Sequence, residues 1–147
     1  MRTRGFTLIE LLVALAIMAI ISAIAIPIYR EYSIRTQRVN AENDLMLCAQ
    51  GMERLASQTF TYAGQVGGAD TGPVTANICT PTTTMYGIAV VAPTNQDTFT
   101  IQATPTSGPV LGNGMLRIDG NGQRWWDRTP PGNPDGTFDP ADSGWSD

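Results

Sequence analysis

Residues 2–29 read RTRGFTLIELLVALAIMAIISAIAIPIY, and the fold of the chain turns on this stretch. From Leu11 to Ile28 no residue is charged, and only Ser22 and Pro27 interrupt the apolar run. With Phe6, Leu8 and Ile9 ahead of it, the run is long enough to span a bilayer as a helix. Arg2 and Arg4 precede it, which places the N-terminal end on the cytoplasmic side. A secretory signal peptide fits less well, because no clear small-x-small cleavage site follows and the pattern continues into a polar helix. A plain anchor leaves one residue unexplained. Glu10 sits inside the apolar stretch, where a carboxylate costs about 2.5–3.5 kcal/mol on insertion scales. A charge kept at that cost calls for a partner.

The segment Arg4-Gly5-Phe6-Thr7-Leu8-Ile9-Glu10 followed by the apolar run resembles the class III signal of type IV prepilins and of the pseudopilins of type II secretion. The resemblance implies that residues 1–5 are a leader removed by a prepilin peptidase after Gly5. Phe6 would then be the new, methylated amino terminus, and Glu10 would pair with the ammonium of Phe6 on a neighbouring subunit. Physically, an unpaired carboxylate and an unpaired ammonium in an apolar filament core each carry a desolvation penalty, and docking one on the other relieves both. The resemblance implies an α+β pilin fold, in which a long N-terminal helix backs an antiparallel sheet of three or four strands. The partners implied are other pilin subunits, the peptidase, the inner-membrane assembly machinery, and the membrane itself before assembly. The subunit would move from the inner membrane, with its head in the periplasm, to an extracellular pilus.

The helix is expected to run on past the membrane. Pro27 lacks an N–H and clashes with the preceding turn, so a kink or local melting is expected there; the resemblance implies that the helix loses order just before this proline inside the filament, which makes Ala19–Ala25 the candidate flexible segment. Beyond it, Ala41, Leu45, Cys48, Met52 and Leu55 recur at helical spacing. Most of the charged residues, Arg38, Glu42 and Asp44 among them, are read as lying off this stripe. Gly51 interrupts the helix at about 1 kcal/mol relative to alanine, so packing must hold that region. Residues 6–29 are thus the apolar half of the helix and 30–57 the amphipathic half, together roughly 75 Å long at 1.5 Å per residue.

Residues 58–147 read as the head. A Thr-, Gly-, Ala- and Pro-rich stretch, 58–84, is expected to be a long loop. YGIAVVA (86–92) is β-branched and apolar, and DTFTIQATP (97–105) alternates with Phe99, Ile101 and Ala103 on one face. Met115–Ile118 and Gln123–Trp126 flank Asp119-Gly120-Asn121-Gly122, a hairpin signature. Cys48 on the stripe and Cys79 before the first strand would, if bonded, staple the loop to the helix at roughly 3–4 kcal/mol. No cysteine follows Cys79, so the C-terminal disulfide of many type IV pilins is missing.

The tail, 127–147, holds four prolines and Trp145. Packing of Trp125, Trp126, Phe138 and Trp145 would anchor it. A calcium site built from Asp135, Asp139 and Asp142, with Asp127 as a fourth candidate, is the sharper alternative, and it is faintly similar to the C-terminal loop of major pseudopilins. A solvated acidic tail accounts for the same residues, so no cofactor is required.

The chain has 147 residues, with nine arginines, no lysine and no histidine against 13 acidic residues. Without Arg2 and Arg4 the net charge is −6, which argues against a generally basic nucleic-acid surface. Trp125 and Trp126 beside Arg124 and Arg128 could stack on bases, but such aromatics more often cover a sheet face or a subunit contact. The absence of histidine removes the commonest general base, and no nucleophile–base motif is present, so an enzyme is not expected. The expected role is a structural pilus subunit, a minor pilin for priming, assembly, adhesion or motility. The alternatives are a major pilin, a pseudopilin, or a minor pilin with an adhesive or DNA-receptor surface.

Overall fold

The computed structural model describes residues 6–91, 97–127 and 144–145. One helix, α1, runs from Leu8 to Thr59. The chain divides into two compact units, one reaching Ser33 and the other beginning at Ile34. In the first unit every residue from Phe6 to Tyr32 is exposed. By length and composition this part of α1 is apolar enough to cross a membrane, and none of that apolar window is buried within the chain. The backbone stays helical through Pro27 and across Ala19–Ala25. A proline removes one N–H from the ladder, and in the single subunit the turns on either side keep the helix; the loss of order that the resemblance implies for Ala19–Ala25 belongs to the assembled filament.

The second unit is the head. Five strands form one antiparallel sheet in the order β1-β2-β3-β4-β5, namely Gly72–Pro73, Tyr86–Val91, Thr100–Pro105, Leu116–Asp119 and Arg124–Trp126. One strand more is present than the three or four expected. It is β1, a Gly-Pro pair lying within the stretch 58–84, with no β-pattern of its own; it is recruited by pairing with Val90 and Ala89. Period-two alternation does the rest. Tyr86, Ile88 and Val90 of β2, Ile101 and Ala103 of β3, and Leu116 and Ile118 of β4 all point inward. The register stacks Ile101 against Val90 and Ile118, and Leu116 against Ala103 and Trp126.

The inner face of the sheet forms a common core with Ala41, Leu45, Cys48 and Met52 of α1. Residues 34–59 of α1 are thus helical because they are amphipathic and have a sheet to cover. At the β4–β5 hairpin, Gly122 adopts φ +76°, and Asp119 Oδ1 accepts the N–H groups of Asn121 and Gln123 at 3.0 and 2.8 Å. That pattern is the turn chemistry Asp-Gly-Asn-Gly favours.

Candidate functional site

At the start of α1, Thr7 and Glu10 cap the helix reciprocally. The Thr7 hydroxyl donates to Glu10 Oε2 at 2.8 Å, and the Thr7 N–H donates to the same oxygen at 3.1 Å. The Glu10 N–H in turn approaches the Thr7 hydroxyl oxygen at 3.3 Å. This is a capping box, which satisfies donors that the first turn would otherwise leave open. The side chains of Phe6 and Glu10 are both exposed, so the carboxylate lies at the surface of the monomer. Gly5 lies outside the described residues. Sequence reasoning missed this role of Thr7; the signal that could have found it is Thr-x-x-Glu ahead of an apolar run, the signature of this box.

In the head, three consecutive turns of α1 grip one short segment of chain. Cys48 and Cys79 form a disulfide with Cα atoms 4.9 Å apart. One turn earlier, the carboxylate of Asp44, buried to 1% exposure, accepts the N–H groups of Thr82 and Thr83 at 2.9 and 2.8 Å and the Thr82 hydroxyl at 3.0 Å. One turn later, Gly51 lies so close to Ile78 that a Cβ would collide with the Ile78 carbonyl. Positions 44, 48 and 51 share one helical face, and together they fix residues 78–83. The glycine that weakens the helix as a sequence element is required by the close approach of this segment.

Asp44 and Arg38 lie off the apolar stripe by residue type, yet both are buried. Arg38 stacks 3.8 Å over the Trp126 ring and pairs with Glu42 at 3.6 Å. Trp126 is itself buried, and its indole N–H donates to the Asn113 carbonyl at 2.7 Å, so this ring belongs to the core and offers no stacking surface for bases. A polar residue on a packed face gives no apolar signal, and only its partner in the fold shows why burial is tolerated.

On the same edge strand, β5, Gly144 N–H donates to the Arg124 carbonyl at 2.8 Å. The Trp145 indole N–H donates to the Trp125 carbonyl at 3.1 Å. The Arg124 guanidinium lies 4.9 Å over the Trp145 ring. These contacts hold the distal end of the tail on β5 without a disulfide. Asp127 is fully buried, its N–H donating to the Met115 carbonyl at 2.9 Å. Asp135, Asp139 and Asp142, along with Arg128 and Phe138, lie outside the described residues. Among the described residues, no group of three acidic or cysteine side chains is placed to hold a metal.

Two family models match the sequence. Residues 1–26 match the prokaryotic N-terminal methylation motif. Residues 27–113, more than half of the chain, match the family described as type IV minor pilin ComP, DNA uptake sequence receptor. Among curated proteins, a fimbrial protein of Neisseria meningitidis serogroup B is 34% identical over 68 residues, which is 46% of this chain and 38% of the relative. A fimbrial protein of Pseudomonas aeruginosa is 50% identical over 42 residues, 29% of this chain and 27% of the relative. The type IV major pilin protein PilE1 of Neisseria gonorrhoeae is 34% identical over 62 residues, 42% of this chain and 35% of the relative. The matches thus span about a third of the length of these relatives. No solved structure matches.

Proposed function

The chain belongs to the type IV minor pilin family, and from that premise we propose that it is a minor subunit of a type IV pilus, built into the filament through α1. One observation carries this reading. Every residue from Phe6 to Tyr32 is exposed, although most are large and apolar. A helix that is apolar all round needs a membrane or a set of like helices to cover it. A pilus subunit meets both in turn.

In this mechanism the prepilin is held in the inner membrane by the apolar half of α1. A prepilin peptidase cuts after Gly5 and methylates Phe6. The assembly machinery then draws the helix into the filament core, where Glu10 exchanges its bonds to Thr7 for the Phe6 ammonium of a neighbour. The reading is tested by absolute quantification of this chain, by mass spectrometry, in sheared filaments and in membranes. A scarce but definite presence in the filaments is expected, with the first residue read as methylated phenylalanine. Dominance of the fibre would make it the major pilin. Confinement to the membrane fraction would make it a pseudopilin.

A second reading, in which the head receives DNA, is favoured by the description of the matching family. The net charge of −6 without the leader arginines argues against it. Binding of duplex DNA that weakens steeply with added salt would support this reading, and no binding at low salt would remove it.

A further inference from the structure

In residues 6–33 the aromatic side chains lie only at the two ends of the apolar run. Phe6 stands ahead of it, Tyr29 and Tyr32 stand just after it, and no aromatic residue occurs between. The two tyrosines are three residues apart on α1, hence on one face, and they are 73% and 69% exposed. The charge pattern changes at the same point. No charged residue lies from Leu11 to Ile28, whereas Arg30 and Glu31 stand between the tyrosines, both exposed.

A tyrosine is apolar in the body of its ring and polar at its tip, so it is most stable where hydrocarbon meets water. Arginine suits the same place, with its stem along the apolar side and its guanidinium among phosphates. Arg30 and Glu31 cancel in charge, so a general attraction to anionic lipid is not what would hold this cluster. The two rings are.

The length of the helix supplies a second observation. α1 continues without a break from Glu10 to Tyr29. At about 1.5 Å per residue this stretch is about 28 Å long, and the hydrocarbon core of a bilayer is about 30 Å thick. We propose that Tyr29 and Tyr32, with Arg30 between them, form an interfacial belt that binds the outer headgroup boundary of the membrane and fixes the depth of α1. The belt puts Glu10 at the opposite boundary, within reach of water, and away from the bilayer midplane. The carboxylate thus keeps its hydration while the subunit waits in the membrane, and it gives up that hydration only when the helix enters a filament core. This inference rests on the reading above in which the apolar half of α1 holds the subunit in the membrane.

The test uses the full-length chain in phosphatidylcholine vesicles. A nitroxide label is attached at Ile28→Cys or at Leu11→Cys; Cys48 and Cys79 are paired with each other and take no label. Collisions with oxygen and with a water-soluble nickel chelate read the depth of each label. With oleoyl chains the two labels should lie near the two hydrocarbon boundaries. With the longer erucoyl chains the label at 28 should keep its depth, while the label at 11 sinks by about one helical turn, about 5 Å. In a Tyr29→Ala, Tyr32→Ala background the label at 28 should sink as well. Equal sinking of both labels with the tyrosines present would overturn the belt, and so would an alanine variant that behaves like the wild type. Shielding of the label at 28 from both probes would assign the tyrosines to a contact between subunits and would overturn it too. A chain that fails to insert at all would instead strike the reading in which α1 holds the subunit in the membrane, and the belt with it.

Discussion

Residues 8–33 and 34–59 of α1 are one helix in backbone and two different objects in chemistry. Residues up to Tyr32 are exposed on every side, aliphatic or not. From Arg38 onward a single stripe is buried, and it includes an arginine and an aspartate. Apolar content alone therefore does not predict what a segment buries. The apolar half has no polar face to turn outward and nothing in the chain to cover it. The amphipathic half has both, so its needs are met within the subunit. The difference separates two tasks: residues 34–59 fold the head, and residues 6–33 remain available for a membrane or a filament.

The separation is sharpest where the expected effects are largest. Under the proposed assembly, Glu10→Ala leaves a neighbour's ammonium unpaired in an apolar core, a loss of about 3–5 kcal/mol per contact. Incorporation into filaments should collapse while the melting temperature of the head stays put. A variant that enters filaments normally would break the comparison, since the two halves would then share a task. Cys48→Ser should do the reverse. It opens a closure of 31 residues in sequence separation, worth roughly 3–4 kcal/mol, and should lower the denaturation midpoint of the head under oxidising conditions. Unchanged stability would show that the grip on residues 78–83 does not depend on its covalent part.

How much of this was legible depended on periodicity. Phe99, Ile101 and Ala103 alternate in the sequence, and all three are buried. Ala41, Leu45, Cys48 and Met52 keep helical spacing, and all are fully buried. The Asp119–Gly122 hairpin was written in its turn residues. What stayed hidden has no period. Gly72–Pro73 is a strand only because β2 lies beside it. Asp44 is buried because a loop 38 residues away offers N–H groups, a partnership that no local pattern encodes. At the N-terminus the motif Gly-Phe-Thr-Leu-Ile-Glu pointed to the family, while the capping role of Thr7 came to light only with its hydrogen bonds to Glu10.

Asp44 gives the next effect in size, and it acts within one half alone. Asp44→Ala leaves the N–H groups of Thr82 and Thr83 without their acceptor, at about 1–3 kcal/mol. Asp44→Asn keeps one carbonyl acceptor and should lose less. Chemical denaturation of the two variants orders them, and equal losses would mean that shape rather than hydrogen bonding sets the grip. Neither variant should alter how residues 6–33 enter a membrane.

The smallest effect is a pH limb confined to the head. Tyr86 is buried at the start of β2, and burial holds its hydroxyl above the usual phenol range, outweighing the hydrogen bond it accepts from Asn113. Its pKa is raised on folding, so the stability it contributes is fully present below the unfolded value near pH 10. That stability is lost as pH rises from there through the folded value. Tyr62 shifts the same way, through burial and then the Glu53 carboxylate it bonds. Alkaline titration should therefore unfold the sheet, seen as loss of near-ultraviolet ellipticity, beginning near pH 10. Tyr86→Phe should flatten that limb, at the cost of the Asn113 bond at neutral pH. Tyr62→Phe should flatten it less, because its ring is not fully enclosed. If the Tyr86→Phe head unfolded along the wild-type alkaline limb, the buried phenol would not be what makes this half of the molecule sensitive to base, and the limb would have to be sought outside the core that α1 and the sheet share.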